Sequence, residues 1–240
     1  MHYVLLICSD GVPAPETSSV VPREFPRWAA EMNRRGVVEF GRRLQLPDSA
    51  ATVRVRDGDT LVTDGPFVET KEFIGGFDVL DCADLDEAIE IAAKHPVSWF
   101  HAIEIRPFID GLHVTDEARA FGRGEDRGAP YCLLMCLDGV PAEPAVEESI
   151  VSDGNAWAAD LDARGMYVFG HALQHKDTAT MVRVRDGETL LSDGPFVETK
   201  EFVGGLAVVY CSGRDEAIEV AAAHPLAAHH MIEVRPFFRE

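Results

Sequence analysis

The sequence is poor in the features that commit a chain to export, to a membrane or to nucleic acid. Five cysteines in 240 residues are an odd and small number, too few for the disulfide framework of a secreted domain. Cys8 with Cys136 and Cys82 with Cys211 fall in matching positions of a repeat, each within an apolar run, and read as small buried hydrophobes kept reduced. Hydrophobic runs are short. The opening MHYVLLICSDG holds six apolar or aromatic residues in a row, Tyr3 to Cys8, with no basic flank, and no stretch approaches a membrane span. Positive charge is scarce: 22 Lys and Arg against 41 Asp and Glu leave a net charge of −19, which repels nucleic acid and anionic membranes. A Gly-rich phosphate loop, a dinucleotide fingerprint and a nucleophile elbow are all missing, so no cofactor is expected. Cys132 with Cys136, and His171 with His175, lack further ligands at metal-site spacing, and no metal is expected. A cytoplasmic protein without nucleic-acid or membrane partners is the expectation.

What is abundant is repetition. DGPFVETKEFIGG, Asp64 to Gly76, recurs as DGPFVETKEFVGG, Asp193 to Gly205, with one Ile→Val change. YVLLICSDGVP matches YCLLMCLDGVP, DEAIEIAAKHP matches DEAIEVAAAHP, and IEIRPF matches IEVRPF. Between the copies, Asp110 to Pro130 is rich in Gly, Asp and Arg and reads as a linker. Two domains follow, 1–109 and 131–240, joined by 110–130.

Each copy has the same coarse pattern. HYVLLICS predicts a strand buried on both faces; a helix around Trp28 (Trp157 in the second copy) ends at Gly36 (Gly165). VVEFGRRL predicts a second strand, and TVRVRDGDTLV a hairpin turning at Asp57-Gly58. GGFDVLDC is a further strand. DLDEAIEIAAKH is a helix whose Asp84 and Glu87 suit a capping box, stopped by Pro96, and AIEIRPF is the last strand. The fold class is α+β: two tandem ferredoxin-like, βαββαβ-type domains with helices on one sheet face. Pairing the two bare faces sheet to sheet, as an α/β barrel, would make the chain its own pseudo-dimer. A further homodimer stays open.

Strand alternation sets Ile103 and Ile105 toward the helices and Glu104 and Arg106 away from them. The hairpin likewise opposes Val53 and Val55 to Arg54 and Arg56, and both patterns repeat through Arg183 and Arg235. Charges so placed make either an ion-pair lattice or an anion-accepting pocket. Asp64-Gly65-Pro66 is turn chemistry, but Glu69 and Lys71, with Glu198 and Lys200, exceed what a turn requires. They form a salt bridge or an acid/base couple. Glu69, Lys71, Glu198 and Lys200 are therefore the candidate catalytic residues; Arg54, Asp64, Arg106, Arg183, Asp193 and Arg235 are the candidate ligand-binding residues. His95 and His224 precede Pro at helix ends, where a cation favours the helix dipole. Asp78 against Ala207, and Arg42 against His171, are places where the copies differ.

The string VRVRDG, TDGPFVETKEF(I/V)GG, DEAIE, IE(I/V)RPF, present twice, resembles the DGPF-domain branch of the YCII-related family. The resemblance implies the dimeric α/β-barrel superfamily, and bacterial proteins of this look are often encoded beside extracytoplasmic-function sigma factors. More distant relatives include a dehydrochlorinase of chlorinated hydroxyquinol, for which a His–Asp pair is proposed as catalytic. The helices around Trp28 and Trp157, where that His would be sought, contain none. Three readings stand. One is a pocket for a small anionic or aromatic metabolite, with cofactor-independent, lyase-like acid/base chemistry. Another is an accessory protein for a sigma factor or other protein; the last is a scaffold without chemistry. A closed polar cavity favours the first and an exposed apolar patch the second.

Overall fold

The computed structural model describes residues 1–9, 17–67, 73–121, 127–140, 143–196 and 201–238. In the first repeat the order is β1 (His2–Ser9), α1 (Thr17–Arg35), β2 (Val38–Arg43), the hairpin β3 (Ala51–Arg56) and β4 (Asp59–Asp64), β5 (Phe73–Asp81), α2 (Leu85–Lys94) and β6 (Ala102–Pro107). The short α3 (Asp116–Arg119) precedes the second repeat. That repeat runs β7 (Ala129–Leu137), α4 (Pro144–Ala163), β8 (Tyr167–Ala172), β9 (Thr180–Arg185), β10 (Glu188–Asp193), β11 (Phe202–Cys211), α5 (Arg214–Ala222) and β12 (Met231–Pro236).

Local signals do what their chemistry requires. Asp84 accepts the Glu87 N–H at 3.0 Å and Glu87 accepts that of Ala83 at 2.8 Å, closing the start of α2. The hairpin turns at Asp57 and Gly58, both at positive φ, as a tight two-residue turn demands.

Contacts divide the chain into two compact units, and neither is a single repeat. Unit 1 is Met1–Arg43, Thr70–Val114 and Leu173–Glu198; unit 2 is Leu44–Glu69, Thr115–Ala172 and Thr199–Glu240. The sheet of unit 1 is ordered β10-β9-β6-β1-β5-β2, and that of unit 2 β4-β3-β12-β7-β11-β8, with every pairing antiparallel. The four strands β6-β1-β5-β2 have ferredoxin-like order. The hairpin that lies between β2 and β5 in sequence is given to the other unit. Each unit therefore has a ferredoxin-like core extended at one edge by the other repeat's hairpin.

The α+β expectation holds; among the described residues neither sheet closes on itself into a barrel. Each is open, with β10 and β2 as edges of the first and β4 and β8 of the second.

In unit 1 the helices cover one face: Trp28, Met32, Ala88, Ile91 and Ala92 pack on Tyr3, Leu5, Leu80, Ile103 and Ile105. Val182 of the donated hairpin joins this core, as Ala51 and Val53 join that of unit 2. Burying a Val side chain contributes roughly 1.5–3 kcal/mol, so the donated strand is integral to each core. In the 110–130 segment, the Phe121 ring packs on Tyr210 and Phe237. All five cysteines are buried thiols; burial pushes Cys82 up to about 11 and Cys211 to about 12, which suits inert packing. Among the described residues, no helix is long and apolar enough to cross a membrane.

Candidate active site

Glu69, Lys71, Glu198 and Lys200 lie outside the described residues. The turns just before them are described, and they explain much of the repeated sequence. In unit 1 the Phe196 N–H donates to Glu104 Oε2 at 2.8 Å, while Glu104 Oε1 lies 3.2 Å from Arg106 Nη1. Arg106, 0% exposed, also donates to the Gln174 carbonyl. Unit 2 repeats the device. The Phe67 N–H donates to Glu233 at 3.0 Å, Glu233 pairs with Arg235, and Arg235 reaches the Gln45 carbonyl at 3.0 Å. The glutamate and arginine of one repeat thus hold the DGPF turn donated by the other.

Arg185 completes the attachment in unit 1, donating to the carbonyls of Ser98 at 2.9 Å and Phe100 at 3.0 Å. Arg56 does the same in unit 2 to Ala228 at 2.8 Å and His229 at 3.2 Å. These carbonyls end short 3-10 turns, where a cation is favoured. Each repeat's turn is thus matched to the last strand of the other repeat.

The remaining candidates are dispersed. Arg54 is exposed and contacts Met231 Sδ; the Arg183 guanidinium lies 5.8 Å from the Phe196 ring centre. Asp193 is exposed at the end of β10. Asp64 pairs with Arg214 at the rim of an open recess of about 720 Å³ in unit 2, beside Tyr131 and Phe237.

A different pair meets in unit 1. Asp78 on β5 points to the helix side of the sheet, with Oδ2 at 3.7 Å from Nε2 of His95, which follows α2; both side chains are buried. His95 is not the helix-end cation that its place before Pro96 suggested. Its Nδ1 accepts the Val97 N–H at 3.1 Å, so its proton sits on Nε2 and faces Asp78. Desolvation lowers His95 to about 3 and raises Asp78 to about 7. Both effects favour a neutral imidazole beside a carboxyl group that titrates near neutrality. The wall is aromatic: the Trp28 and Phe25 rings stand edge-on to His95 at 4.4 and 5.5 Å.

Unit 2 keeps the histidine and loses the acid. His224 accepts the Leu226 N–H at 3.1 Å, packs on Trp157 at 4.7 Å, and is lowered to about 4 by burial. It too is neutral rather than a helix-end cation. Ala207 replaces Asp78 and Gly154 replaces Phe25. Tyr167 replaces Val38, and its hydroxyl, donating to the Gly170 carbonyl at 3.1 Å, lies over Gly170 beside Ala207. The Asp78 carboxylate lies over Gly41 in the same way. One polar oxygen has been exchanged for another of different acidity: burial holds the Tyr167 hydroxyl at about 12.

An open α+β unit carrying a buried acid–histidine pair, twinned with a unit that lacks the acid, is the class of protein defined by this fold and site. The YCII-related domain family matches residues 1–110 and again 132–240, and the chain belongs to that family. It is also 48% identical over 99 residues to the uncharacterized protein R00369 of Rhizobium meliloti (strain 1021), covering 38% of this chain and 77% of that one.

Proposed function

We propose that unit 1 handles a small aromatic or anionic metabolite by cofactor-independent acid/base chemistry, with Asp78 as the proton-exchanging group and His95 as its orienter. The observation that carries this reading is the Asp78–His95 pair itself. A carboxyl group near neutrality is matched to proton transfer at neutral pH, whereas a purely structural buried polar pair would be better satisfied by closer hydrogen bonds. A His–Asp pair was implied only for a more distant relative and did not carry over to the first helices of this chain; the pair here comes instead from β5 and the residue after α2.

Ligand access is assigned to Phe25, 39% exposed and packed on His95. Pro22 and Pro26 flank it inside α1 and remove two backbone donors there, loosening that turn. The second repeat then acts structurally toward unit 1, by supplying its β9–β10 hairpin.

The test is hydrogen–deuterium exchange of weakly acidic C–H groups in a panel of aromatic and hydroxylated carboxylic acids, followed by NMR in D₂O. The parent chain should catalyse exchange in at least one compound, and Asp78→Asn should slow it roughly 100-fold or more. Exchange that survives Asp78→Asn, or none across the panel with the parent, would sink the reading.

A second reading, an accessory protein for a sigma factor or another protein, is favoured by the edge strands. Leu61 on β4 and Leu191 on β10 are 52% and 53% exposed, and such edges invite strand addition. Co-purification with an extracytoplasmic-function sigma factor that is abolished by Leu61→Lys would support it.

A further inference from the structure

We propose that His2, Glu39 and Asp81 bind a divalent first-row transition-metal ion, a site separate from the Asp78–His95 pair. One ligand atom from each of the three lies within 4.8 Å of the others. They come from three adjacent strands. His2 on β1 stands directly opposite Asp81 on β5, and Glu39 on β2 lies at the register slip between Val38 and Phe40. Alternation after Val38, which packs on the helix side, turns Glu39 to the face that carries Asp81.

The chemistry of the set is specific. One imidazole with two carboxylates is a nitrogen and oxygen donor set suited to Mn²⁺, Fe²⁺, Co²⁺, Ni²⁺ or Zn²⁺. A tetrahedral ion with bonds of about 2.1 Å sets its ligands about 3.4 Å apart. Small rotations close the present spacing, because His2 and Glu39 are only half-buried and Asp81 is exposed. The Met1 amino group, 3.3 Å from Asp81 Oδ1, would give way to the ion; that exposed contact is worth little.

The second repeat supplies an independent argument. Pro130 faces Tyr210 where His2 faces Asp81, and Val168 stands for Glu39. All three ligands are present in one copy and all three are gone from the other. A solvated polar face would not require the three to change together. Spacing could not show the site, since the ligands are far apart in sequence and meet only across the sheet.

His2 and Asp81 share the sheet face opposite Asp78, since Asp78 and Asp81 are an odd number of residues apart on one strand. The ion would bridge β1, β5 and β2 rather than touch the proton-exchanging pair.

The experiment uses the full chain without a histidine tag, stripped with EDTA and titrated calorimetrically with Zn²⁺, with Co²⁺ as an optical probe. One equivalent should bind, and the dissociation constant should rise roughly tenfold or more in His2→Ala, Glu39→Gln and Asp81→Asn. Glu39→Gln preserves shape, so it carries the test if another variant fails to fold. Absence of a bound equivalent in the parent at micromolar protein overturns the proposal, as does unchanged affinity in folded Glu39→Gln. Asp78→Asn should leave the affinity unchanged, which separates failure of this site from failure of the acid/base reading.

Discussion

The Glu104 carboxylate accepts the Phe196 N–H at 2.8 Å across 92 residues of chain, so a side chain of the first repeat anchors a turn of the second. Replacing it tests whether the repeated turn is held from the other repeat. Glu104→Ala would remove the carboxylate that lies against buried Arg106 and should cost roughly 3–5 kcal/mol in denaturant unfolding. Amide exchange at Phe196 should accelerate, while that at Phe67, held by Glu233, should not. Unchanged protection at Phe196 would show that the contact has no role in holding the turn.

The exchanged hairpins make a prediction about the isolated repeat. Residues 1–110 alone carry β3 and β4 and also the β6 edge that receives a hairpin of this type. The fragment should therefore form a dimer by reciprocal hairpin donation, with hydrophobic strands covered on both sides. Light scattering decides it: a well-folded monomer would mean the hairpin can fold back into its own sheet.

Asp78 should leave a pH signature in stability. Its folded value, about 7, is above the ordinary carboxyl value of 3.8, so the stability it contributes is present at low pH and is lost as pH rises toward 7. His95, lowered to about 3, works the other way: its contribution is present above its ordinary value of 6.5 and is lost as pH falls. Asp78→Asn removes only the first effect. Relative to the parent, the variant should gain roughly 2–4 kcal/mol between pH 4 and 7.5, leaving the acid limb due to His95 in place. Parallel urea melts at four pH values would show it, and parallel curves would refute it.

Gly41 should be intolerant of alanine for a nameable reason. A Cβ there would meet Asp78 Oδ1 at 1.9 Å and the Phe77 carbonyl at 2.7 Å. Gly41→Ala should destabilise by a few kcal/mol, and Asp78→Ala should relieve part of that loss, giving a favourable coupling in a double-mutant cycle. Strict additivity would mean that the backbone clash alone is responsible.

Much of the architecture was legible because local chemistry and periodicity agree. Asp84 with Glu87, Asp57-Gly58, and the alternation of Ile103 and Ile105 with Glu104 and Arg106 each settle a short-range choice. The hairpin exchange was not legible, since β3 fits the last strand of either repeat equally well by pattern: Val53 and Val182 are interchangeable letters. The same limit hid the acid/base pair. Asp78 stood out against Ala207, but nothing in the spacing of Asp78 and His95 says that one side chain on a strand and another beyond a helix will meet. His95 looked like a dipole-compensating cation because exposure cannot be read from a residue's place before proline. Burial by Trp28 and Phe25 reverses that assignment. Ile103 and Ile105 join the helix-side core without Glu104 and Arg106, but the acceptors of the buried arginines include the Gln174 and Gln45 carbonyls, which no charge pattern reveals.

The exchanged hairpin also sets a schedule for synthesis. Unit 1 cannot complete its sheet when its own repeat has emerged from the ribosome, because β9, β10 and the turn at Phe196 have yet to be made. Glu104 precedes Phe196 by 92 residues, an interval of roughly 5–20 s at ordinary elongation rates of about 5–20 residues per second. For that time the β6 edge lacks the β9–β10 hairpin that completes it and has only the first repeat's own hairpin at hand. A neighbouring nascent chain on the same messenger could offer one first, so ribosome spacing would influence whether the product is a single chain or an interlocked pair.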